Sequence, residues 1–159
     1  MLRWTYYAGF ILILAACRPK STFEGKHDFH LRSWPSEQAV EFAFFIPDSL
    51  KSYNLHYTIR NNNDYEFQNI YLQYYLMDST GLLLKKELNN LLLFNPITGI
   101  PLGKGVGEIY TIQKKFLDGI RFDRPGNYRL RIDHYMRTDT LKGMASIGLL
   151  VIESDKDSR

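Results

Sequence analysis

The chain has 159 residues and a formal charge of +3, with 45% hydrophobic, 14% aromatic and 23% charged residues. That length suits one domain and that composition a folded core, while 11 Gly and 6 Pro exclude a collagen-like or low-complexity chain. One cysteine excludes an intrachain disulfide, and so small and evenly spread a charge gives no argument for nucleic acid as a partner.

Residues 1–16 read as a secretory signal: Arg3 supplies a positive start, and the uncharged run from Ala8 to Ala16 ends in small residues. That run is too short to span a bilayer, which takes about 20 apolar residues. Leu14-Ala15-Ala16-Cys17 resembles the bacterial lipobox, which implies cleavage before Cys17 and acylation of that cysteine. Two or more acyl chains suffice for stable membrane anchoring. Residues 17–22, the acylated cysteine and Arg18-Pro19-Lys20-Ser21-Thr22, read as a short polar tether. The tether lacks the aspartate that retains lipoproteins at the inner membrane and the acidic run of surface-export signals. Both absences point to the outer membrane, facing the periplasm.

Period-two alternation then recurs along the chain, the mark of half-buried strands. Val40, Phe42, Phe44 and Ile46 share one face; Leu55, Tyr57 and Ile59 alternate with Asn54, His56, Thr58 and Arg60. Asn61-Asn62-Asn63-Asp64 marks a turn. Residues 67–77 form the next strand, with Ile70, Leu72, Tyr74 and Leu76 on one face and Tyr71, Gln73 and Tyr75 on the other. Residues 82–94 are less regular and read as two short strands or one with a bulge. Residues 95–107, with two Pro and four Gly, read mostly as loop, and 108–116 as extended. The stretch 117–122 has room for one helical turn. After the turn Asp123-Arg124-Pro125-Gly126, residues 127–136 alternate well, and Tyr128 is placed like the tyrosine at the entry of a late strand in many sandwiches. Residues 145–153 form the last strand and 154–159 a charged tail. Seven to nine short strands with regular turns predict an all-β, antiparallel β-sandwich over residues 23–153, jelly-roll or immunoglobulin-like, as a single domain.

Residues that carry chemistry are sparse. His27, His30, His56 and His134 have no metal spacing, and no second cysteine exists, so no metal site and no cofactor are expected. His27 and His30 read as a solvated loop. No nucleophile elbow, Walker loop or H-E-x-x-H is present. Gly103-Lys104-Gly105-Val106-Gly107 precedes no helix start that would offer amides to a phosphate, and reads as a tightly bent loop before a strand. Asp133 and His134 point to opposite faces of a strand, so they do not cooperate as acid and base. The crowded tyrosines around Tyr71 and Tyr75 read either as a surface strip for a partner or sugar, together with Trp34, or as strand residues covered on both faces.

The order of several segments resembles the gliding-motility lipoprotein family GldH of Bacteroidetes. These are Tyr53-Asn54-Leu55, Ile59-Arg60-Asn61, Asp64-Tyr65, Asn69-Ile70-Tyr71-Leu72, residues 102–109 (LGKGVGEI), Gly126-Asn127-Tyr128, Met136-Arg137, Leu141-Lys142-Gly143 and Ile147-Gly148-Leu149. One departure is Ile100-Pro101, where the family tends to carry an aromatic. The resemblance implies a membrane-anchored accessory protein, not an enzyme, tied to gliding and to type IX secretion-linked envelope machinery. The partners expected are therefore the membrane, through acyl chains on Cys17, and other gliding or secretion envelope proteins. The alternative is a glycan- or protein-binding envelope lipoprotein unrelated to motility. Edge strands can bind partner chains by strand addition. Arg60, Asn61, Asn69, Tyr71 and Arg137 are the candidate contact residues. The plainer reading of Arg60 and Asn61 is turn-fixing hydrogen bonding, and that of Arg137 a salt bridge to Asp133 or Asp139.

Overall fold

The computed structural model describes residues 21–154. The signal segment, Cys17 with the three tether residues after it, and residues 155–159 of the tail lie outside the described residues. Eleven strands occur in chain order: β1 (Ser21–Asp28), β2 (Ser33–Pro35), β3 (Val40–Ile46), β4 (Ser52–Asn61), β5 (Asn69–Asp78), β6 (Leu83–Leu92), β7 (Lys104–Val106), β8 (Ile109–Arg121), β9 (Gly126–His134), β10 (Thr140–Lys142) and β11 (Met144–Glu153). Among the described residues one 3-10 turn, His30–Arg32, interrupts them. The all-β antiparallel sandwich therefore stands.

Alternation is the local cause. In β3 every second residue, from Val40 to Ile46, is buried, and β5 buries Ile70, Leu72, Tyr74 and Leu76, so one face of each strand faces the opposite sheet. One sheet runs β1-β11-β4-β8-β7 and the other β3-β9-β5-β6, with every pairing antiparallel. Apart from the β5–β6 hairpin, each principal strand crosses to the other sheet before the next begins. That winding is a jelly roll, not an immunoglobulin-like order.

The ends of the sandwich are closed by aromatics. At one end the small β2–β10 ribbon carries Trp34, fully buried, stacked on Phe29 at 4.7 Å and edge-on to His134 at 5.2 Å. At the other, Tyr53, Phe44, Phe122 and Tyr128 pack together. The Tyr128 hydroxyl donates to the Arg124 carbonyl at 2.7 Å, the link back across the turn that its position at a strand entry anticipates.

Several expectations need correction. Ser21 and Thr22 are not tether: they open β1, which pairs with β11 from Ser21↔Ile152 onward. His27 is not in a loop. It sits in β1, where its Nε2 lies 2.9 Å from the Gln38 amide nitrogen. Residues 117–122 hold no helical turn; β8 continues to Arg121 because Gly119, at φ +64°, absorbs a break in register, its N–H donating to Asn54 Oδ1 at 2.8 Å. Residues 82–94, by contrast, follow one of their two readings, a single strand with a bulge in which the register skips Leu84. Ser154 is buried, and its N–H donates to the Ser52 carbonyl at 2.8 Å, so it belongs to the sandwich and not to the tail.

Candidate interaction surface

The outer face of the four-stranded sheet is built by residues left over once alternation has fed the core. From β5 it takes Asn69, Tyr71, Gln73 and Tyr75, from β9 Arg129, Arg131 and Asp133, and from β6 Lys86, Leu88, Asn90 and Leu92. The face divides in two. Its polar half centres on Tyr75, whose ring lies 5.0 Å from the Lys86 ammonium and 5.7 Å from the Arg131 guanidinium. The Tyr75 hydroxyl donates to Gln73 Oε1 at 2.7 Å, and Arg131 is held by Asp133 at 3.2 Å. Gln73, Tyr75, Lys86, Arg131 and Asp133 thus have partners within the sheet.

The other half is apolar. Past the end of β9 the chain keeps to the sheet: the Tyr135 N–H donates to the Tyr71 carbonyl at 2.8 Å, and the Tyr71 N–H lies 3.3 Å from Met136 Sδ. This brings Tyr135, Met136 and Arg137 alongside Phe67, Tyr71 and Leu88, and the six line a groove of about 460 Å³. Phe67 and Tyr71 are each 37% exposed and Tyr135 61%. Arg137 is exposed at the rim and has no ion-pair partner among the described residues, so the expected bridge to Asp133 or Asp139 is not formed. Asp133 is taken by Arg131 instead. The groove thus offers aromatic walls and one free guanidinium, which suits a large apolar side chain beside a carboxylate.

The five residues singled out from the sequence do not all meet. Asn69, Tyr71 and Arg137 share this face; Asn69 donates to Asn90 Oδ1 at 2.6 Å and ties β5 to β6. Arg60 lies on β4, whose outer face belongs to the other sheet. Asn61 is 2% exposed, on the inward side of β4, and its amide reaches the Asn62 carbonyl at 3.5 Å. The tight turn beside it is anchored by Asn62, whose N–H donates to the Gly143 carbonyl at 2.9 Å and whose amide donates to Asp64 Oδ2 at 2.7 Å. Asn61 thus follows the turn-fixing reading. Leu88, Tyr135 and Met136 were missed from the sequence, whereas Phe67 was read at the start of the strand 67–77, among its crowded aromatics. Phe67 sits instead in the loop before β5, and Leu88 and Tyr135 are placed by pairing partners far along the chain; no local pattern marks them.

Two other arrangements considered from the sequence are not assembled. Trp34 is fully buried, so it is no part of an aromatic platform for sugars. His134 does not face carboxylates. It is buried against Trp34, neither ring nitrogen has a hydrogen-bond partner among the described residues, and burial pushes its pKa down, with the nearby Trp34 backbone and Asp133 offsetting this only in part. Inside the sandwich, the Tyr57 hydroxyl donates to Asn89 Oδ1 at 3.1 Å and the Tyr74 hydroxyl to Glu87 Oε2 at 3.0 Å. Burial raises both phenol pKa values well above the ordinary tyrosine range, so both remain donors. Among the described residues, no group of three or more His, Cys, Asp or Glu is placed to hold a metal ion, and no helix is long and apolar enough to cross a membrane.

Residues 21–151 match the family model described as GldH lipoprotein. The chain is 27% identical over 154 residues to the gliding motility lipoprotein GldH homolog of Christiangramia forsetii, covering 91% of each. It is 24% identical over 151 residues to the gliding motility lipoprotein GldH of Flavobacterium johnsoniae, covering 91% of this chain and 92% of that protein. Among solved structures, CBM35 from Cellvibrio japonicus Abf62 superposes over 74% of this chain and 70% of that chain at a TM-score of 0.33 and 16% identity, too loosely to bear on function.

Proposed function

This chain belongs to the GldH lipoprotein family, and from that premise we propose that it is a membrane-anchored, non-enzymatic component that holds another envelope protein of the gliding and secretion apparatus. Cys17 carries the acyl chains, the anchor lies in the outer membrane facing the periplasm, and the sandwich presents the apolar half of the four-stranded sheet to the partner. The observation that supports this most directly is the groove of Phe67, Tyr71, Leu88, Tyr135, Met136 and Arg137, whose arginine has no ion-pair partner among the described residues. An exposed apolar patch with an arginine at its rim is the usual make-up of a protein-binding hot spot. Asn69, Tyr71 and Arg137 are the contact residues in this reading. The partner supplies an apolar side chain next to an acidic group.

The test is crosslinked affinity capture of the full chain from its native envelope. Gliding or secretion proteins are expected with the unaltered chain and with Arg60→Glu, which alters the other sheet. They are expected to be lost with Arg137→Glu and with Cys17→Ala. Equal recovery with Arg137→Glu overturns the groove, and retention of glycan without any protein overturns the assembly reading.

A further inference from the structure

The jelly roll has four sheet edges, and they are not alike. β7 is three residues long, β1 exposes Glu24, Lys26 and Asp28, and β3 exposes Glu41, Ala43 and Phe45. β6 is ten residues long and exposes Leu83, Leu88 and Leu92 at 49%, 44% and 47%. No strand among the described residues pairs with its outer side. A long edge carrying exposed leucines is a template for another strand. Edge lysines normally guard against that, but those of β6 are engaged within their own sheet: Lys85 is 3.4 Å from Glu87, and Lys86 lies over the Tyr75 ring.

We propose that the partner of this edge is a second copy of the chain, whose β6 adds antiparallel about a two-fold axis at Leu88. The strand's own sequence selects that axis. In a two-fold antiparallel pair, facing residues lie on the same side of the sheet. An axis at Lys86 sets two ammoniums against each other and an axis at Glu87 two carboxylates, both destabilising. An axis at Leu88 places Leu88 on Leu88 and Lys86 on Asn90 of the second copy. The skipped Leu84 puts Leu83, which faces Met77, one ladder step beyond Lys85, and so brings it onto Leu92 of the second copy. On the inner side Glu87 meets Asn89. This axis is also the one that pairs the whole outer stripe Leu83, Lys86, Leu88, Asn90, Leu92 with itself: axes at Asn89 or Asn90 oppose no like charges either, but leave Leu83 without a facing residue in the β6 of the second copy.

An axis perpendicular to the sheet also leaves the five-stranded sheet, where β1 begins at Ser21, on the same side in both copies. With the lipid anchor proposed above, both chains then reach one leaflet, and both grooves face away from it. Confinement to a plane raises the effective concentration of such a pair. The pairing itself rests neither on the anchor nor on the partner-holding reading, and the experiment reads self-association alone.

Facing Cα atoms in an antiparallel pair stand about 4.5–5.5 Å apart, within the roughly 4.4–6.8 Å that a disulfide spans. The full chain carrying Leu88→Cys, oxidised in its membrane, is therefore expected to run as a covalent dimer, with the unaltered chain, whose sole cysteine is Cys17, as background. Lys86→Cys and Asn90→Cys are each expected to give no dimer alone, because two copies of either position are about 13 Å apart along the strands, four residues at about 3.3 Å each. Co-expressed, the two are expected to link. The proposal is overturned if Leu88→Cys stays at background, if Phe45→Cys on β3 links as well as Leu88→Cys, or if Asn90→Cys links to itself. Leu88 is exposed, so its replacement leaves the core intact.

Discussion

β5 and β6 are hydrogen-bonded neighbours of ten residues each, and both are rich in leucine, yet they live in different solvents. β5 lies between β9 and β6 and sends Ile70, Leu72, Tyr74 and Leu76 into the core with no exposure at all. β6 lies at the edge, and of its leucines only Leu91 is buried. A strand's pattern determines which residues share a side. Its place in the sheet determines whether either side is covered. Leucines left uncovered on an edge add nothing to the core, so their presence on β6 points to a contact outside the monomer.

The contrast breaks hardest in the core. Leu72→Ala is expected to cost about 3 kcal/mol, the transfer and cavity cost of a buried leucine, whereas Leu88→Ala is expected to stay within about 0.5 kcal/mol of the unaltered chain. Urea denaturation of both variants measures the difference, and equal losses would dissolve the distinction between the strands. Next comes pH, through His134, which faces Leu72 across the β5–β9 ladder. Its folded pKa lies below the ordinary 6.5 because burial disfavours the imidazolium. The unfolded chain takes up the proton first, so the stability His134 contributes is present above about pH 6.5 and is lost as pH falls through its folded pKa. Thermal melts between pH 7.5 and 5 are expected to fall, and to fall less in His134→Leu; parallel curves would place the titrating group elsewhere.

Smaller effects sharpen how the two strands are joined. Tyr74→Phe removes the donor to Glu87 on β6 and is expected to cost about 1 kcal/mol, the net worth of one hydrogen bond. Faster amide exchange confined to β6 would show that this bond holds the edge in place. Smallest is Lys86→Ala, which removes the cation over Tyr75 for about 0.5 kcal/mol. Unchanged self-association of that variant is expected, since Lys86 is held over Tyr75 and does not guard the edge; increased self-association would show that it does.

Much of the fold was legible because the strands are regular. β3 and β9 were placed within about two residues, and the inward faces of β4 and β5 were named residue by residue. What escaped was set by distant partners. β1 was read partly as tether and partly as loop because Phe23 and Gly25 find their place only against β11. Residues 117–122 were read as room for one helical turn because their own residues show no alternation; the strand there follows from pairing with β4, with the register break at Gly119. Of the candidate surface, Tyr71, Asn69 and Arg137 were legible as polar or aromatic residues opposite a buried face. Asn61 was not, since a strand-end asparagine reads alike whether it points to water or to its own turn.

The sequence by itself determined the all-β class, most of the long strands, the inward faces of those that alternate and the resemblance to the GldH family, because each depends on residues that are neighbours along the chain. Only the tertiary structure decided the jelly-roll order, the burial of Trp34 and His134, the joining of Phe67, Tyr71, Leu88 and Tyr135 into one groove, and the open edge at β6. Those depend on which strands pair across long stretches of sequence. Pairing is settled by burying every inward face at once, a condition on the whole molecule and not on any segment of it.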